Sequence, residues 1–158
     1  MLRVVFAGLI ALFLASAGIA SDRYVGYYHP EITSVERFDR VIGTGAETSR
    51  ALRVDFVNVI TRAQLDAPES PRYVFFAKGT EARTLILVAL DDDVFSTLYR
   101  ARAVLAQLTV NVRSGSFFEA QELQYVATFY DLLQLMEFDA LHITDGKTWT
   151  HKVTFIRE

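Results

Sequence analysis

The chain has no cysteine. That absence removes thiol nucleophiles, thiolate zinc sites, iron–sulfur clusters and disulfides together, so the fold must stand on its apolar core alone. Charge of one sign is also scarce: 16 Lys and Arg against 19 Asp and Glu leave a formal net charge of −3. A mildly acidic chain without a basic stripe lacks the electrostatic footprint of a nucleic-acid partner, and equally that of an anionic membrane surface. Glycine-rich loops are missing as well. Gly43-Thr44-Gly45 has neither the lysine nor the spacing of a phosphate loop. There is no G-x-S-x-G nucleophile elbow; Ser114-Gly115-Ser116 reads instead as a loop between helices, with Ser116 placed to cap the second.

What is present begins with a three-part leader. Met1-Leu2-Arg3 is a short positive start, Val4 to Leu14 an apolar run, and Ala15-Ser16-Ala17-Gly18-Ile19-Ala20 a small-residue end. This is the pattern of a secretory signal peptide, and the run is shorter than the roughly 20 apolar residues of a spanning helix. Signal peptidase has shallow pockets one and three residues before the cut, which Ala20 and Gly18 fill, so residues 1–20 are expected to leave. With no cysteine near the cut, lipid attachment there is excluded, and no stable membrane insertion is expected after cleavage. Loss of Arg3 takes the net charge to −4. Zero cysteines suit a bacterial periplasm better than an animal extracellular space. At 51% hydrophobic and 13% aromatic residues the chain is not a disordered one, and residues 21–158 have the size of a single domain.

Residues 21–50 read as an irregular arm rich in aromatics, its start extended ahead of Pro30. Arg53 to Ile60 is β-branched and aromatic and reads as a strand, running into a short helix over Thr61 to Leu65 that Pro68 ends. Tyr73 to Ala77 and Thr84 to Leu90 form a hairpin with a polar loop, and the almost wholly apolar second run predicts a strand covered on both faces. Leu98, Ala101, Leu105, Leu108 and Val112 recur at helical spacing. A second helix starts at Thr128-Phe129-Tyr130-Asp131, a capping-box pattern, and buries Leu132, Leu133 and Met136. Ala140 to Ile143, a turn at Thr144-Asp145-Gly146, and Lys147 to Ile156 close the chain as a second hairpin. The order predicts an α+β fold: one two-layer domain, a mainly antiparallel sheet with helices packed on one face.

Three groups of residues invite a functional reading. His142 and His151 would make a metal site or an acid–base pair if they shared a face of the last hairpin. A three-residue loop with Gly146 left-handed sorts Leu141, Ile143, Trp149, His151, Val153 and Phe155 onto one side. His142 then goes with Thr148, Thr150, Lys152 and Thr154 onto the other, in solvent, with His151 at the rim of the core. Asp91-Asp92-Asp93 could attract a cation, but its spacing is not that of a calcium loop. Caps on a helix beginning near Val94 are the simpler role. Tyr24, Tyr27, Tyr28 and His29 could stack on a ligand or partner, or tie the arm to the sheet. No catalytic, cofactor or metal residue is assigned from these patterns.

Four stretches carry a resemblance: Tyr24-Val25-Gly26-Tyr27-Tyr28-His29-Pro30-Glu31, Phe76-Ala77-Lys78-Gly79, Leu98-Tyr99-Arg100-Ala101-Arg102-Ala103-Val104-Leu105 and Phe129-Tyr130-Asp131-Leu132-Leu133. Together they resemble a family of small exported bacterial proteins of unknown function. Some of its members carry the label molybdopterin-guanine dinucleotide biosynthesis protein A, which implies a role related to that nucleotide. The guanylyltransferases known by that name resemble cytosolic Rossmann-type proteins with a glycine-rich loop near the start, where this chain has its leader. The leading expectation is an exported, non-catalytic accessory or binding protein with no cofactor; the sequence names no partner, and another periplasmic protein is one option. The alternative is a metal-dependent or hydrolytic enzyme using the C-terminal histidines or the acidic loop. If the leader is read correctly, N-terminal sequencing of the protein recovered from the periplasm will start at Ser21. A product that still carries Met1 and stays in the cytosol would contradict it.

Overall fold

In a computed structural model the described residues are 31–40, 48–120 and 122–157. They form five strands and four helices in the order β1 (Ser34–Phe38), α1 (Arg50–Leu65), β2 (Tyr73–Lys78), β3 (Thr84–Ala89), α2 (Leu98–Arg113), α3 (Ser116–Ala120), α4 (Phe129–Leu135), β4 (Ala140–Thr144) and β5 (Thr150–Phe155). One sheet contains all five strands in the order β1-β5-β4-β3-β2. The fold is α+β, as expected, but the sheet is mixed and not mainly antiparallel. β2–β3 and β4–β5 are antiparallel hairpins, whereas β3–β4 and β1–β5 are parallel. The difference arises because helices and not turns connect the two hairpins, and a crossover delivers its next strand parallel to the last.

The core lies between the sheet and its helices. Alternate strand residues Phe75, Leu85, Leu87, Leu141, Ile143, Val153 and Phe155 join Ala101, Leu105 and Leu108 of α2 and Phe129 and Leu133 of α4 in one apolar cluster, against which Phe56, Val57 and Ile60 of α1 pack. Leu85, Ile86 and Leu87 are each fully buried, so β3 is indeed covered on both faces. α2 follows its expected stripe, with Ala101, Leu105 and Leu108 inward. α4 opens on the expected capping box: the Thr128 side chain accepts from the Asp131 amide, while the Asp131 carboxylate accepts from the Thr128 amide at 2.7 Å.

α1 overturns the reading of 53–60 as a strand. Ser49 caps it by accepting from the Leu52 amide at 3.2 Å, and the helix runs unbroken to Leu65. Arg53, Phe56, Val57, Ile60 and Gln64 recur at helical spacing and face inward, whereas Val59 between them is 64% exposed. Inward packing at a period of 3.6 wins over the local β preference of the branched residues.

The most consequential polar residue in this layer is Arg53, only 1% exposed. Its Nε donates to the Glu81 carbonyl at 3.0 Å, and its Nη1 donates to the Met136 carbonyl at 3.1 Å and the Thr48 hydroxyl at 3.4 Å. One guanidinium therefore binds the start of α1, the β2–β3 loop and the end of α4. A buried charge is tolerated only when its donors are satisfied, and deleting it strands the carbonyls it served. Arg53→Met should lower unfolding free energy by roughly 3 kcal/mol in urea denaturation. A loss below about 1 kcal/mol would show that this clamp is dispensable.

Candidate functional site

The last hairpin separates the two histidines. His142 pairs with Lys152 and Ile143 with His151, which puts the imidazoles on opposite faces. The face sorting matches the sequence reading, but the loop does not. Thr144 pairs with Thr150, so five residues, 145–149, form the loop and not three. Asp145 explains the length. Its Oδ1 accepts from the amides of Lys147, Thr148 and Trp149 at 2.8 to 2.9 Å, which wraps the chain around one carboxylate. Burial raises its pKa, and these amide hydrogen bonds outweigh that and hold it below the usual aspartate value. Gly146 does take the left-handed conformation, at φ 72°. His142 is half-buried and not in solvent, and His151 lies inside the core layer at 2% exposure, not at its rim.

His151 has neighbours that the sequence did not indicate. β1 runs parallel to β5 with Ser34 directly opposite His151, and Glu36, two residues on, shares Ser34's face of the strand. Ser34 Oγ lies 2.8 Å from His151 Nδ1, and Glu36 Oε2 lies 3.2 Å from Nε2. Trp149 stacks on the imidazole with the ring planes 16° apart. Behind Glu36, Arg102 of α2 comes within 3.7 Å of the carboxylate. A carboxylate only accepts, so Nε2–H donates to Glu36, and in the neutral ring Nδ1 then accepts from the Ser34 hydroxyl.

The acidic loop is neither a set of helix caps nor a cation site. α2 begins at Leu98 and its cap is Thr97, which accepts from the Arg100 amide, so the three aspartates precede it by a full turn of chain. Each carboxylate has a cation of its own. Asp91 pairs with Arg72 at 3.1 Å, Asp93 with Arg100 at 2.9 Å, and Asp92 with Lys147, whose pKa that contact raises. Among the described residues no three His, Asp or Glu side chains converge as a metal site. Tyr24, Tyr27, Tyr28 and His29 lie outside the described residues.

Among the described residues α2 borders several concavities, two of them shared with α4. The first, about 340 Å³, runs between β1, α2 and α4 and is lined by Glu36, Phe38, Arg102, Leu105, Phe129 and Tyr130 among others. Burial, and next the Glu36 carboxylate, push the Tyr130 hydroxyl well above the ordinary tyrosine pKa against the opposing effect of Arg102, so it stays protonated. The second, about 410 Å³, lies between α1, α2, α4 and β2, with Phe56, Ile60, Phe75, Leu108, Val112 and Leu132 in its mostly apolar wall. Gln64 also lines it. Its Nε2 donates to the Tyr73 carbonyl at 2.9 Å, which fixes the amide orientation, while Oε1 is buried with no hydrogen-bond donor.

The chain matches no family model, no curated protein and no solved structure. Among the described residues no helix is long and apolar enough to cross a membrane.

Proposed function

We propose that this is an exported protein whose mature domain works in the bacterial periplasm as a binding protein for small, largely apolar molecules that carry one hydrogen-bond donor. The observation that carries the reading is the 410 Å³ cavity with a mostly apolar wall that includes Gln64, whose Oε1 is buried without a hydrogen-bond partner. Buried polar atoms are almost always paired, and an acceptor left over on a residue that lines an apolar cavity is one that a ligand's hydroxyl or N–H would pair with once the side chain turns toward it. The leader pattern at residues 1–20 and the absence of cysteine support the address. The separation of His142 from His151, and the pairing of each aspartate of the acidic loop with its own cation, argue against a metal-dependent enzyme.

The cavity is tested with two probes of one shape, 2-naphthol and naphthalene, titrated into the mature protein and followed by NMR. Shifts should concentrate on Phe56, Ile60, Leu108 and Val112. Gln64→Leu should weaken 2-naphthol about tenfold, equivalent to one hydrogen bond of roughly 1.4 kcal/mol, and leave naphthalene nearly unchanged. Ala63→Trp, at an exposed position on the cavity's lip, should block both probes without disturbing the fold. Shifts scattered over the surface, or equal losses for the two probes in Gln64→Leu, would overturn the reading.

A further inference from the structure

The row Ser34–His151–Glu36 takes no part in the cavity. It lies at the opposite edge of the sheet, on the strand pair β1–β5. A buried histidine could be satisfied by any two partners, but these have a particular chemistry. In the neutral ring a hydroxyl donates into one nitrogen and a carboxylate holds the other, with the Trp149 indole nearly parallel to the imidazole at a centroid distance of 6.1 Å. That is a nucleophile, a base and a group that orients the base. The opposite proton placement, with Nδ1–H pointing at Ser34, would aim the Nε2 lone pair at the Glu36 carboxylate across 3.2 Å. The carboxylate therefore selects the tautomer that leaves Nδ1 free to take the serine proton. Ser34 is partly exposed although His151 is not, so a substrate can meet the hydroxyl without displacing the base.

From this geometry we infer that Ser34 is a nucleophile toward esters of small apolar carboxylic acids, with His151 as its general base and Glu36 as a positioning residue. Glu36 also forms part of the wall of the 340 Å³ groove, about 7 Å along the strand from Ser34 at two residues' rise, and Phe38, Leu105 and Phe129 give that groove an apolar lining for the acyl group. In the first step Ser34 Oγ bonds to the carbonyl carbon while its proton passes to Nδ1. Collapse breaks the ester C–O bond, and the proton on Nδ1 goes to the departing alkoxide, leaving an acyl-serine and an alcohol. Water then repeats the sequence on the acyl-serine, releases the carboxylic acid and restores the hydroxyl. The two steps sum to ester plus water giving acid plus alcohol, with no other reactant.

The test treats the mature protein with a fluorophosphonate, which traps activated serines, and separately with p-nitrophenyl butyrate. Peptide mass analysis should place one equivalent of adduct on Ser34, and Ser34→Ala should abolish both labelling and ester hydrolysis. Glu36→Gln replaces an acceptor with a side chain that also donates, so the imidazole can turn to the unproductive tautomer. Labelling should slow at least tenfold and its pH profile should change, while the circular dichroism spectrum is unchanged. Absence of an adduct on Ser34 overturns the inference, as does an adduct formed at the same rate and with the same pH profile in Glu36→Gln. If Glu36→Gln does not fold, the position of the wild-type adduct decides alone. Neither result depends on whether the 410 Å³ cavity binds its probes.

Discussion

The parallel pairing of β1 with β5 is the constraint on which the candidate chemistry depends. Thr33 donates to the Thr150 carbonyl and Ile156 to the Phe38 carbonyl, both at 2.8 Å, so the short strand is pinned at each end. That register puts Ser34 opposite His151 and carries Glu36 to the far nitrogen of the ring. Without β1, His151 would be an imidazole inside the core layer with its polar atoms unserved, a cost of a few kcal/mol. The strand also contributes packing. Phe38 meets Phe155 and Tyr130 edge-on, at ring-centroid distances of 6.0 and 5.2 Å, and closes the apolar end of the groove that Glu36 flanks.

The helix layer supplies the second concavity by how its members are tied. α1 packs on β2, α2 packs on α4, and Arg53 clamps the base of α1 to the β2–β3 loop and to the end of α4. Apolar side chains from α1 and α2 line the 410 Å³ cavity between them. Gln64, in the last turn of α1, ties the helix to β2 through the Tyr73 carbonyl, and its Oε1 is buried without a hydrogen-bond partner. An apolar cavity and the Arg53 clamp thus lie toward opposite ends of α1.

Much of this fold was legible in the chain because its signals are local. The stripe from Leu98 to Val112, the capping box at Thr128 and Asp131, and the alternation around the last hairpin each report one element from residues close together in sequence. α1 was misread where β-branched residues mimic a strand, since only packing against Phe138 and its neighbours reveals that Phe56 and Ile60, not Val59, point inward. β1 was not visible at all. Its five residues, Ser34 to Phe38, alternate partly buried with exposed positions but place a serine and a glutamate on the inner face. No hydrophobic pattern marks such a strand. The candidate site shared that fate: His151 stood out by residue type, whereas its partners sit 117 and 115 positions away and join it only through a parallel pairing. The acidic loop misled for the opposite reason, because three adjacent aspartates look like one site and prove to serve three different cations.

The central claim is that β1 delivers Ser34 and Glu36 to the two nitrogens of one imidazole. Long-range proton–nitrogen NMR of the nitrogen-15-labelled mature protein reads this directly. The account predicts that neutral His151 carries its proton on Nε2, with Nδ1 unprotonated and its shift perturbed in Ser34→Ala. A ring protonated on Nδ1 when neutral, or nitrogen shifts indifferent to the loss of Ser34, would contradict it.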